Sequence, residues 1–282
     1  MFKKLIVPLF LIITIFSCSE HRENQSNRGL LMIVGGGKKP VSAIKTFVEY
    51  CNGGKILVVP SASAIPMESG PAAVELFKSH GAQNVDWLFI QDSAMAAADS
   101  VINKVKNATG IFFTGGVQTR LMKRIGGTPV ESLVRKLYFQ KSGAVGGTSA
   151  GAAIMSQIMI TGDGDFTILK ENNIVTAKGL GLLNNCIIDQ HFIKRRRNNR
   201  LLSLAIEKQI PGIGIDESTA ILYYANDAFK VVGEGSIVVY DTRKGYPQSV
   251  SDDEKLSMGN IKLSVLHREQ WFSMKKGEIF FK

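Results

Sequence analysis

Short apolar runs that close in glycine or small polar residues alternate with helix-forming stretches along the first half of the chain. No other feature constrains the fold as strongly. The runs are Leu30–Val34 before Gly35-Gly36-Gly37, Lys55–Pro60 before Ser61-Ala62-Ser63, Val85–Ile90, Gly110–Phe113 before Thr114-Gly115-Gly116, and Gly143–Gly147. Continuous apolar content without alternation marks strands covered on both faces. Helices are expected between them, over Ile44–Cys51, Pro71–His80, Ala94–Lys106, Thr119–Ile125 and Val130–Gln140. This rhythm predicts an α/β fold: a predominantly parallel sheet flanked by helices, with ligands meeting the C-terminal strand ends where the glycine loops fall. After residue 211 the runs shorten to Ala220–Tyr224, Phe229–Val232 and Ser236–Tyr240, which predicts an antiparallel β extension toward the C-terminus. Lys244–Gly259 reads as a polar loop, and the last residues as one or two further strands.

The 282 residues, 45% apolar and 21% charged, suffice for one large domain, placed at 29–282. Residues 1–18 are set apart. Lys3 and Lys4 precede an apolar run from Leu5 to Phe16, too short to span a membrane and suited to an export signal. Ser17-Cys18 resembles a bacterial lipobox in which Cys18 is lipidated, with ordinary cleavage or an uncleaved anchor as alternatives. Residues 19–28 form a polar linker. The expected location is therefore outside the cytoplasm, lipid-anchored to a membrane. The net charge of +10, or +8 without Lys3 and Lys4, comes with no aromatic-interleaved basic stripe or helix-turn-helix pattern, so nucleic acid is not the expected partner. Cys51 and Cys186 lie far apart in sequence and are expected as buried free thiols.

Gly143–Ala152 carries the first chemical signal. Within it, Gly147-x-Ser149-x-Gly151 has the spacing of a nucleophile elbow, followed by what reads as a helix through Ser156. A turn tight enough to push a hydroxyl into a cleft has no room for neighbouring Cβ atoms. Alone, the pattern marks only a small-residue turn. A serine nucleophile needs a base, and the chain has four histidines. His21 belongs to the leader, His80 to a helix end and His267 to the tail. His191, in Asp189-Gln190-His191-Phe192, closes a strand and is the best-placed base. The strand Gly212–Ile215 ends in Asp216 and Glu217, and either carboxylate suits orientation of an imidazole. Between these lies Lys194-Arg195-Arg196-Arg197-Asn198-Asn199-Arg200, a plausible clamp for substrate carboxylates or simply a solvated face. Gly35-Gly36-Gly37 is not followed by Gly-x-Gly-x-x-Gly, so it is weak evidence for a dinucleotide site.

Four motifs together resemble the cyanophycinases. They are the elbow Gly-Gly-Thr-Ser-Ala-Gly-Ala, Phe113-Thr114-Gly115-Gly116-x-Gln118, Asp189-Gln190-His191-Phe192-x-x-Arg195-x-Arg197-x-x-Arg200, and Gly214-Ile215-Asp216-Glu217-x-Thr219-Ala220. They occur in the family's order, across about residues 30–240. That family belongs with the aspartyl-dipeptidase-type serine peptidases, peptidase family S51, on a fold similar to class I glutamine amidotransferases. The resemblance implies Ser149 as nucleophile, His191 as general base, Glu217 as its orienting acid, and the N–H groups of Gly116 and Ala150 as oxyanion hole. It further implies that Gln118, Asp189, Gln190, Arg195, Arg197 and Arg200 hold a β-aspartyl-arginine unit. Cyanophycin is polyaspartate with arginine on each side-chain carboxyl, so each unit offers a carboxylate to an arginine fork, and Asp189 suits the substrate guanidinium.

The implied activity is exo-type cyanophycin hydrolysis through an ester on Ser149, with no metal or cofactor, by a homodimer. The chain departs from the family at Val117, where an acidic residue is usual, which removes a carboxylate beside the oxyanion loop. It departs again in the export signal, which fits use of polymer released by other cells. Two alternatives stand beside this reading: an aspartyl or isoaspartyl dipeptidase, and a non-catalytic surface lipoprotein that binds polymer or peptide. A class I amidotransferase needs cysteine at the elbow, where this chain has Ser149.

Overall fold

The computed structural model describes residues 28–164, 166–247 and 255–282. The expected export signal, Cys18 and the expected linker up to residue 27 lie outside the described residues, as does part of the polar loop after Lys244. The chain runs β1 (Leu30–Val34), α1 (Val41–Tyr50), β2 (Ile56–Val59), α2 (Pro66–Lys78), β3 (Val85–Trp87), α3 (Ser93–Ala96), α4 (Asp99–Lys106) and β4 (Gly110–Phe113). It continues with α5 (Gln118–Ile125), α6 (Pro129–Gln140), β5 (Ala144–Thr148) and α7 (Ala150–Ala153). The hairpin β6 (Ile158–Gly164) and β7 (Ile174–Lys178) precedes β8 (Ile187–Gln190), α8 (Asn198–Lys208) and β9 (Gly212–Ile215). Then come β10 (Thr219–Tyr224), β11 (Ala228–Gly233), β12 (Ile237–Asp241), the short pair β13 (Tyr246–Pro247) and β14 (Met258–Gly259), β15 (Lys262–Leu266), β16 (Trp271–Ser273) and β17 (Glu278–Phe280).

A nine-stranded sheet in the order β17-β16-β11-β10-β1-β5-β4-β2-β3 forms the centre. Strands β1 to β5 are mutually parallel, and β10, β11, β16 and β17 extend that sheet antiparallel from β1. The continuous apolar runs account for the parallel part. Leu31 and Ile33 of β1 face one hydrophobic core while Leu30, Met32 and Val34 face another, and all are fully buried. On the second face Phe47, Phe77 and Phe112 pack with centroids 5.5 and 5.2 Å apart. Burial of each ring contributes about 1.5–3 kcal/mol.

The sequence leads to one sheet with an extension, and the structure divides that extension. Strands β8 and β9 run parallel to each other in a separate four-stranded sheet, β15-β12-β9-β8. The chain crosses from this sheet into the large one within Asp216-Glu217-Ser218, with Ser218 at φ +54°. Three local differences have clear causes. The helix after Ser149 stops at Ala153 because the chain beyond it bonds elsewhere: Leu180 N–H donates to Ile154 O at 2.7 Å and Leu182 N–H to Met155 O at 2.9 Å. The stretch Ala94–Lys106 is two helices, the first capped by Asp92, which accepts the Met95 N–H at 2.8 Å. Helix α2 starts at Pro66, whose fixed φ suits a first position, and runs through Pro71. Cys51 and Cys186 are buried free thiols, and burial pushes both up to about 12.

Candidate active site

Ser149 stands at the turn from β5 into α7 with φ +53° and ψ −110°, a conformation that non-glycine residues rarely adopt. Such strain costs about 1–3 kcal/mol and persists only where packing enforces it. Here the packing is visible. A Cβ on Gly147 would stand 2.3 Å from Gly151 O, and one on Gly151 2.3 Å from Phe113 O. Two residues to either side of the serine, only glycine fits. Its own N–H donates to Val34 O at 3.0 Å, tying the elbow to the end of β1.

His191 reaches Ser149 from the other sheet. It follows the last residue of β8 with φ +51°, and its N–H donates to Gly35 O at 2.7 Å. Nε2 lies 2.9 Å from Ser149 Oγ, and Nδ1 lies 2.7 Å from Glu217 Oε1. With Nδ1 protonated toward the carboxylate, Nε2 is free to accept the serine proton. Burial pulls the His191 imidazole below its ordinary value, with Arg195 and Arg197 adding to the shift and the Glu217 hydrogen bond opposing it. That hydrogen bond holds the Glu217 carboxyl below its usual range. The two acids at the end of β9 divide their work: Glu217 meets the ring, while Asp216 accepts the Lys194 N–H at 3.0 Å and closes the turn after His191.

The loop Gly35-Gly36-Gly37 holds both partners, and nothing in the sequence assigned it to the relay. Gly36 has φ +123°, and a Cβ there would stand 2.2 Å from His191 Cε1. Its carbonyl accepts the Ser218 N–H at 2.9 Å, next to Glu217. The visible signal was the glycine triplet itself, at the end of the strand beside the elbow strand.

Gly115 and Gly116 line the other side of the nucleophile. A Cβ on Gly115 would lie 3.4 Å from Ser149 Cβ, and one on Gly116, at φ +140°, would stand 2.1 Å from Ala62 O. Val117 N–H donates to that same Ala62 O at 2.9 Å, so a backbone hydrogen bond holds the loop beside the nucleophile. Ala150 opens α7, where an N–H has no intrahelical acceptor. Gly115 thus lies beside the nucleophile, and the first N–H of α7 follows it in the chain.

The remaining predicted residues differ in what they face. Arg195 is exposed, and it acts electrostatically on both His191 and Glu217. Arg197 is half-buried, donating to Gln190 O at 2.6 Å and Gln190 Oε1 at 2.7 Å. Burial and the neighbouring Arg200 pull its guanidinium down to about 10. Arg200 and Asp189 are buried against each other. Gln118 is buried, its amide nitrogen donating to Ile160 O at 2.9 Å and Thr161 O at 2.8 Å, which pins β6 over the start of α5. The cluster thus holds two guanidiniums, Arg197 and Arg200, around the single Asp189 carboxylate.

Comparison with known proteins supplies the family. The model of peptidase family S51 matches residues 30–232. A cyanophycinase from Synechococcus elongatus is 31% identical over 266 residues, covering 91% of this chain and 83% of that protein. One from Trichormus variabilis is 32% identical over 257 residues, covering 88% and 86%. A solved peptidase from an acI-B1 Actinobacterium shares the fold with a TM-score of 0.61 at 22% identity, over 87% of this chain and 97% of that one. The chain belongs to peptidase family S51 and is a serine-type peptidase of that family.

Proposed function

We propose that the chain is an exported cyanophycinase, anchored through a lipid on Cys18, that removes β-aspartyl-arginine from the end of the polymer. The observation that carries this reading is the unbroken relay from Glu217 through His191 to Ser149, with contacts of 2.7 and 2.9 Å, beside a cluster richer in guanidinium than in carboxylate. Ser149 Oγ attacks the backbone carbonyl of an aspartyl residue as His191 Nε2 takes its proton. The oxyanion forms against the N–H groups of Gly116 and Ala150. His191 then protonates the leaving amine, and an ester remains on Ser149. Water, deprotonated by the same imidazole, attacks that ester and restores the serine. Arg195 and the uncompensated charge of the Arg197 cluster suit the free carboxylate of the substrate unit.

The test is incubation with insoluble cyanophycin. Clearing with release of β-aspartyl-arginine, abolished by Ser149→Ala, supports the reading. Cleavage restricted to α-aspartyl or isoaspartyl dipeptides would sink it and establish the second reading. Mutual engagement of Asp189 and Arg200 favours that smaller substrate, because it leaves fewer groups for a long one. The anchor is tested by mass spectrometry of the mature N-terminus, where Cys18→Ala must abolish the lipid. The homodimer is tested by light scattering of the purified chain.

A further inference from the structure

Two side chains that the family resemblance assigns to the substrate hold each other. Arg200 donates through Nε to Asp189 Oδ2 at 2.7 Å and through Nη2 to Asp189 Oδ1. Asp189 Oδ1 also accepts the Gln190 N–H at 2.8 Å. The Phe166 ring lies across the guanidinium, its centroid 5.3 Å from Cζ. Arg200 is 2% exposed and Asp189 1%. A carboxylate bound at both oxygens and a guanidinium sealed at this level present no face to a substrate.

Their place in the chain gives them another task. Asp189 belongs to the last turn-ward residues of β8, two positions before His191, and Arg200 belongs to α8. Arg197, just ahead of α8, grips the next residue, Gln190, by its carbonyl and its side chain. The strand end that delivers the base is therefore clamped from one helix at two successive residues. His191 itself has a left-handed backbone, which holds only when the surroundings fix it. We infer that Asp189 and Arg200 are a positioning pair that keeps His191 within hydrogen-bonding reach of Ser149, and that neither contacts the substrate.

The inference rests on Ser149 being the nucleophile, but not on which substrate it attacks. The full chain, Arg200→Gln, Asp189→Asn and the double variant Asp189→Asn/Arg200→Gln are compared in two assays. The first is the rate of Ser149 labelling by a fluorophosphonate, which has no carboxylate to bind. The second is steady-state hydrolysis of cyanophycin. A displaced imidazole lowers labelling and kcat together, by about 30-fold or more in each single variant, with KM within about threefold. The double variant replaces the ion pair by two amides able to bond each other, and it regains about fivefold or more over Arg200→Gln. A rise in KM with labelling unchanged would make the pair a substrate contact and overturn the inference. So would a double variant no better than the single ones.

Where Arg200→Gln fails to fold, as read by circular dichroism, the double variant decides. It removes the guanidinium altogether, so a substrate contact requires a raised KM, whereas positioning leaves KM near that of the parent. A parent chain that is labelled but leaves cyanophycin intact defeats the substrate reading, and the labelling comparison still decides the role of the pair. A parent chain that is not labelled at all defeats the Ser149 reading and this inference with it.

Discussion

A methyl group at position 36 would meet the imidazole of His191 at 2.2 Å and would also have to adopt φ +123°. Gly36→Ala is therefore expected to lower kcat/KM by about 100-fold or more, the effect of a misplacement near 1 Å, with the folded chain retained on gel filtration. The pH profile is a second residue-scale expectation. Only neutral His191 can take the serine proton, and its burial places the acid limb of kcat/KM below the ordinary imidazole value of 6.5. Arg195 lowers His191 and Glu217 raises it. Arg195→Gln should thus move the limb to higher pH. Glu217→Gln should move it lower while reducing kcat by about 10²–10⁴-fold, because the tautomer and orientation are lost. At this scale the sequence was legible where chemistry narrows the candidates: few histidines, one elbow, two acids at a strand end. It was not legible where the answer depends on a partner. Asp189 and Arg200 stand eleven positions apart, and a sequence displays their charges without showing that they meet.

Helix α5 shows what one residue does to an element. Val117 is its N-cap, in extended conformation, and supplies no side-chain hydrogen bond. Val117→Asp supplies an acceptor for the first-turn amides and is expected to stabilise the chain by about 0.5–2 kcal/mol. That raises the thermal midpoint by a few degrees in a calorimeter, about 2–4 °C per kcal/mol for a large domain. The parallel strands were readable because burial on both faces writes itself as unbroken apolar runs. The second sheet was not. Gly212-Ile213-Gly214-Ile215 has the same apolar look as a strand of the large sheet, and strand composition does not name the neighbouring strand. The one-turn α7 was equally hidden, since its small residues suit a longer helix and only the distant segment 180–183 ends it.

At the scale of the molecule, Arg28, one residue ahead of the domain expected at 29–282, is already tied to the fold. Arg28 pairs with Asp227 at 3.1 Å and lies over the Phe139 ring. A chain beginning at residue 29 is expected to unfold at lower temperature than one beginning at 28, by the loss of about 1.5–3 kcal/mol for a hydrogen bond to a charged group. Differential scanning of the two chains at equal concentration checks this.

The crossing from one sheet to the other within Asp216-Glu217-Ser218 has a mechanical consequence. Ser149 rides on one slab, His191 on the second, and Glu217 on the crossing between them. The relay is thus a gauge of how closely the slabs are seated, and a gap of a bond length silences it while each slab keeps its own hydrogen bonds. In a urea titration, fluorophosphonate labelling should fade at lower denaturant than the far-ultraviolet signal, a partial opening rather than a global one. Coincident curves would mean that the slabs come apart only when they melt. An enzyme built this way is expected to fall silent before it falls apart.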